Sequence, residues 1–110
     1  MTLFCGIDPG YKGGIAVINH KGIATVRPMP VIVINKGKKG KRRRAYDHAE
    51  FARLFSKIGE KDCYACVEEQ QAFPGQGVVS MFSAGCGFCM IKQCLHDFGI
   101  SHEVVSFNPL

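Results

Sequence analysis

The chain has 110 residues, 46% of them hydrophobic and 21% charged, with a formal net charge of +5. That length supports one domain (residues 1–110) with a genuine but small core, and the apolar fraction excludes disorder for the chain as a whole. No apolar run approaches a membrane span and no secretory signal opens the chain, so the expected setting is the cytosol, with the six cysteines reduced.

Leu3-Phe4-Cys5-Gly6-Ile7-Asp8 is a short apolar run closed by an acid and then by Pro9-Gly10. Such a run bounded by Pro and Gly predicts a buried strand over about residues 2–8, which puts Asp8 at the strand's C-terminal end. A carboxylate there is costly to desolvate unless a cation or hydrogen-bond donors compensate it. It can serve as a cap for its own turn or as a metal ligand, and the second role needs another acid. A second strand over about 13–19 follows closely enough to form a hairpin. Asn19-His20-Lys21-Gly22 makes a turn, and an extended region runs from Ile23 to about Ile34. Pro28 and Pro30 interrupt that region and predict an edge or bent strand.

Lys36-Gly37-Lys38-Lys39-Gly40-Lys41-Arg42-Arg43-Arg44 then holds seven of the fourteen Lys and Arg residues. Outside it, seven basic residues face nine acidic ones, so the protein is a mildly acidic domain with one concentrated basic segment. Lys36, Lys38, Lys39, Lys41, Arg42, Arg43 and Arg44 point to a polyanion, most simply nucleic acid. Their mutual repulsion predicts a loop that orders on a phosphate backbone. Asp47 with Glu50 is a capping pair for a helix whose Phe51, Leu54, Phe55 and Ile58 recur at helical spacing, with Gly59 as its stop.

Residues 62–69 read as a strand ending in Glu68 and Glu69. The stretch from Gln70 to Gly77 leads into a long helix, roughly Val78 to Phe98, and a last strand covers Ser101 to Phe107. Within the helix, Gly85 and Gly87 each cost about 1 kcal/mol against alanine. Some close approach must justify them: another helix, a partner subunit or a nucleic-acid backbone. Three strands, helix, strand, long helix and strand define an α/β mixed sheet of about five strands, the first three antiparallel, with helices packed on it. Asp8 and Glu68 both end predicted central strands, and neighbouring strands would bring them together as hard oxygen ligands suited to Mg²⁺ or Mn²⁺. Glu69 would face the other way.

Gly6-Ile7-Asp8-Pro9-Gly10 with Gly13-Gly14, then Val67-Glu68, Phe73-Pro74-Gly75-Gln76-Gly77, Met81-Phe82 and the small-residue helix Ala84-Gly85-Cys86-Gly87-Phe88, resembles the RuvC-like Holliday junction resolvases. The likeness is to the phage and bacterial branch of that ribonuclease H-like superfamily, and it runs through the whole chain in order. It implies a Mg²⁺- or Mn²⁺-dependent endonuclease acting on branched DNA as a homodimer, in the cytoplasm of a bacterial or phage-infected cell. It also implies Asp8 and Glu68 as the first two catalytic acids, and a DNA-binding loop that puts Gln71 or Phe73 near unpaired bases at the junction centre. Ala84, Gly85, Gly87 and Phe88 would then lie in a dimer interface. The family's pattern continues into a C-terminal helix carrying its remaining acids, whereas no Asp or Glu follows Glu103 here. The expectation is therefore a truncated domain with an incomplete metal site, impaired in cleavage while retaining DNA binding.

Two other readings compete. Cys63-x-x-Cys66 and Cys86-x-x-Cys89, nineteen residues apart, match the spacing of a four-cysteine zinc module that binds nucleic acid. Against it, positions i and i+3 of a strand face opposite sides, and buried reduced cysteines are ordinary core residues. The acid-Pro-Gly turn also resembles the phosphate loop of actin-like ATPases, although no second such loop and no P-loop is present.

Overall fold

The computed structural model describes residues 2–36, 41–70, 75 and 77–106, with the backbone alone described at 35, 36, 41, 79 and 80. The elements run β1 (Leu3–Asp8), β2 (Gly14–Ile18), β3 (Ala24–Pro28), β4 (Val31–Lys36), β5 (Lys41–Tyr46), α1 (His48–Gly59), β6 (Cys63–Glu68), α2 (Val78–Asp97) and β7 (Ser101–Val105). Five strands form one sheet in the order β3-β2-β1-β6-β7. β1, β2 and β3 are antiparallel neighbours, as their short connections allow. β6 runs parallel to β1, and β7 parallel to β6. Parallel pairing needs a crossover between strands, and α1 and α2 supply it.

Alternation along the strands sorts the two faces of this sheet. Cys5 and Ile7 of β1, Ile15 of β2, and Cys63, Ala65 and Val67 of β6 are buried in one core with Phe51, Phe55 and Ile58 of α1 and Ile91 and Leu95 of α2. Both helices therefore cover the same face. Phe4, Gly6 and Asp8 of β1 alternate onto the opposite face, which is open: Phe4 is 53% exposed and Val26 on β3 73%.

The basic segment departs from expectation. The region from Ile23 to about Ile34 is two strands in two different sheets, broken between Pro28 and Pro30. β3 edges the main sheet, whereas β4 leaves it and pairs with β5 in a separate antiparallel hairpin, with Val33 opposite Arg44 and Ile34 opposite Arg43. Lys41 to Arg44 thus begin a strand rather than occupy a loop. A strand places successive side chains on alternate faces, about 7 Å apart along either face, which separates like charges. Its end is tied down by Tyr46, which is buried.

Asp47 caps α1 as its sequence predicts, its carboxylate accepting from the Glu50 amide at 3.1 Å. The Glu50 side chain does not complete a capping box. It accepts from Arg53 Nε at 3.0 Å and lies 3.5 Å from Arg27, which ties β3 to the first turn of α1. The Arg53 hydrogen bond also holds the Glu50 carboxyl below its ordinary range. α2 spans 20 residues, about 30 Å. No helix among the described residues is long and apolar enough to cross a membrane.

Candidate active site and nucleic-acid interface

In the parallel ladder between β1 and β6, Phe4 stands beside Tyr64, Gly6 beside Cys66 and Ile7 beside Val67. One step further, Asp8 and Glu68 leave the two strands side by side, and alternation puts both on the open face of the sheet. Neighbouring strands lie about 4.8 Å apart, and the two acids line the same shallow depression with Gly6, Gly14, Ala16 and Val26. The neighbouring strands thus bring both strand-end acids to one depression. Asp8 also caps its own turn, since its Oδ1 accepts from the Gly10 amide at 3.2 Å. The turn closes tightly around it, and a Cβ at Gly13 would lie within 2.8 Å of the Asp8 carboxyl carbon, so only glycine fits there.

Two carboxylates on adjoining strands are a donor set that fits Mg²⁺ or Mn²⁺, which bind one or two carboxylates and fill their remaining positions with water and phosphate oxygens. Among the described residues, no group of three or more His, Cys, Asp or Glu side chains could hold a metal ion. Glu103 comes nearest in the fold to being a third acid. It stands on β7 opposite Cys66, whose thiol donates to its Oε1 at 3.5 Å. Alternation puts it on the same open face, two residues short of the Asp8 and Glu68 level. From the sequence it was only an acid inside a strand, and its face follows from the β6–β7 register.

A second set of residues fixes the turn after Asp8. The Tyr46 hydroxyl donates to the Pro9 carbonyl at 2.6 Å, and the Tyr11 and Tyr46 rings are 4.6 Å apart at 34°. Burial above all, with the nearby Tyr11 and Asp8, pushes the Tyr46 hydroxyl up to about 12, so it remains a donor throughout the neutral range. Tyr46 rests on Gly87 of α2, where any Cβ would overlap the ring. The close approach anticipated for the small-residue helix is thus an aromatic ring of the same chain. Spacing along the sequence concealed Tyr11 and Tyr46, which lie far apart in it. An aromatic residue two positions after a run of arginines was the one available signal.

The remaining expected site residues are spread over several surfaces. Arg42, Arg43 and Arg44 are exposed on β5, while Lys36 and Lys41 end β4 and begin β5. Lys38, Lys39, Gln71 and Phe73 lie outside the described residues. Of the four residues assigned to a dimer interface, Gly85 is exposed, Gly87 is buried under Tyr46, Ala84 lines a pocket facing β5, and Phe88 packs against the core. The exposed stripe of α2 is instead Val78, Phe82, Gly85 and Cys89, which a helix of 3.6 residues per turn aligns on one side. The cysteine pairs are also separated: Cys63 is buried, Cys66 faces the open side of β6, and Cys86 and Cys89 are exposed on α2. All six cysteines are unbridged. Burial, together with Cys63 and Cys66, pushes the Cys5 thiol up to about 12.

A five-stranded mixed sheet, antiparallel over its first three strands and crossed by two helices on one face, is the ribonuclease H-like arrangement. No family model matches the chain, and no curated protein matches it by sequence. Among solved structures, T. thermophilus RuvC in complex with a Holliday junction substrate is similar over 97% of this chain and 66% of that one, with a TM-score of 0.58 at 11% identity. A Thermus thermophilus RuvC structure is similar over 94% of this chain and 63% of that one, with a TM-score of 0.52 at 15% identity. The chain has the RuvC fold, and it spans 66% and 63% of the length of these two structures.

Proposed function

We propose that this chain is a resolvase-like domain that binds branched DNA and presents Asp8 and Glu68 as acids of a divalent-metal endonuclease site. The observation that carries this reading is the placement of the two carboxylates side by side on one face of adjoining parallel strands. Asp8 and Glu68 would hold Mg²⁺ or Mn²⁺, and the ion when bound supplies the Lewis acidity for in-line phosphodiester hydrolysis. The turn hydrogen bond from Gly10 orients the Asp8 carboxylate, and the Tyr46–Pro9 bond holds that turn against the core. Arg42, Arg43 and Arg44 place positive charge on a rigid strand, where they meet the phosphate backbone and displace its counterions. That one similar structure is a complex with a Holliday junction supports branched DNA as the substrate class.

Two carboxylates hold an ion less firmly than three, so DNA binding outlasts cleavage in this chain. The active form we infer is a homodimer that joins through the exposed Val78, Phe82, Gly85 and Cys89 stripe of α2. Its setting is the cytoplasm of a bacterial or phage-infected cell, where unbridged cysteines persist. A four-way DNA junction incubated with the protein and Mg²⁺ or Mn²⁺ tests the whole reading. Binding in preference to linear duplex is expected, with slow paired nicking that Asp8→Asn abolishes. Absence of junction preference would sink the branched-DNA reading, and fast stoichiometric nicking would sink the impaired site.

A further inference from the structure

A pocket of about 310 Å³ lies beside the turn that carries Asp8, between that turn, β5 and α2. It is lined by Gly10 and Tyr11, by Arg42, Arg43 and Arg44, and by Ser83 of α2, and no Asp or Glu contributes to its lining. Its volume is at the small end of ligand cavities, right for one nucleotide and far too small for a duplex. Among the described residues, no carboxylate pairs with any of the three arginines. Three consecutive arginines therefore line a concave site to which no carboxylate contributes, and that arrangement suits an anion.

Part of the pocket wall is a column of planar groups. Tyr46 is fixed by its bond to Pro9, Tyr11 packs on Tyr46 with the rings tilted, and the Arg44 guanidinium lies 5.3 Å from the centre of the Tyr11 ring. Tyr11 is thus in contact with both Tyr46 and Arg44, and the Arg44 side chain is exposed at this end of the cluster. Guanidinium planes and aromatic rings are the surfaces on which unpaired bases stack, while Arg42, Arg43 and the Ser83 hydroxyl are suited to phosphate oxygens.

We propose that this pocket holds a single unpaired nucleotide, its base stacked on Arg44 at the end of the Tyr46–Tyr11 column and its phosphate on Arg42, Arg43 and Ser83. The inference rests on the DNA-binding reading above and refines it: the arginine strand selects unpaired nucleotides as well as holding backbone charge. Since Gly10 lines the pocket and donates to Asp8, the captured nucleotide sits one turn away from the acids. An unpaired nucleotide at a branch or gap would set the register of the strand presented to them.

Arg44→Lys separates plane from charge, because lysine keeps the cation and loses the planar fork. The probes are a blunt duplex and the same duplex with a short single-stranded gap carrying the fluorescent base 2-aminopurine. The wild-type chain should bind the gapped DNA about fivefold tighter or more, with a fluorescence change as the base restacks. Arg44→Lys should abolish both the preference and the fluorescence change, so that affinity for the gapped DNA falls by a larger factor than affinity for the blunt duplex. Retention of the gap preference by Arg44→Lys, or equal binding of both DNAs by the wild type, would overturn the pocket assignment alone. Failure of the wild type to bind either DNA would overturn the DNA reading and the pocket with it. Because Arg44 is exposed on its strand, the variant is expected to fold, and an unchanged melting temperature verifies this.

Discussion

Gly87→Ala is the perturbation whose sign the structure decides. In an ordinary helix interior the change stabilises by about 1 kcal/mol, because alanine loses less backbone entropy. At Gly87 the added methyl overlaps the Tyr46 ring, and overpacking of this kind costs about 1–3 kcal/mol. The ring cannot simply swing aside, being 7% exposed, packed on Tyr11 and bonded to Pro9 at 2.6 Å. Displacing it strands a buried carbonyl, for a further cost of about 1–3 kcal/mol. The balance is a net destabilisation of about 1–5 kcal/mol, and each kcal/mol lowers the melting temperature of a domain this size by about 4 °C or more. Gly85→Ala is the matched control, since a Cβ there meets nothing within 4 Å and only the propensity gain remains. Thermal or urea unfolding of both variants reads out the difference. Equal stability of the two would refute the Gly87–Tyr46 contact. The same contact predicts that Tyr46→Leu is less harmful in the Gly87→Ala background than alone, a coupling that a double-mutant cycle measures directly.

The other predictions follow from the acids and the thiols. Mg²⁺ at about ten times its dissociation constant should raise stability by about 1.4 kcal/mol, and Asp8→Asn should remove that gain; an equal Mg²⁺ effect in both proteins would move the ion elsewhere. Cys5 rises from 9.0 and Tyr46 from 10.0, each to about 12, and burial keeps both neutral in the folded state. The unfolded chain therefore loses these protons first. Stability is fully present below pH 9 and falls as pH rises toward about 12, and Cys5→Ala should flatten that fall in urea titrations. A thiol reagent should modify the exposed Cys86 and Cys89 quickly and the buried Cys5 and Cys63 only on unfolding. Uniform reaction of all six would contradict the described burial.

Local pattern is enough to read the alternating strands, the Asp47 cap, the apolar stripe of α1 and the extent of α2. These depend on local periodicity and backbone chemistry, which a single stretch of chain carries. Local pattern also marked Asp8 and Glu68 as strand-end acids, because the turn residues after them are punctuation that needs no partner to be read. That the two strands are parallel neighbours, in a register that puts both carboxylates on the open face, emerges only from the folded sheet. Strand order is a property of how crossovers pack, and no local pattern encodes it. The basic segment was misread as a loop because charge repulsion was weighed without the pairing strand that spaces its arginines apart. Gly87, Tyr46 and Pro9 come from three distant stretches, and their contact exists only once α2 crosses the hairpin. That contact turns an unexplained glycine into the support for the turn that holds Asp8.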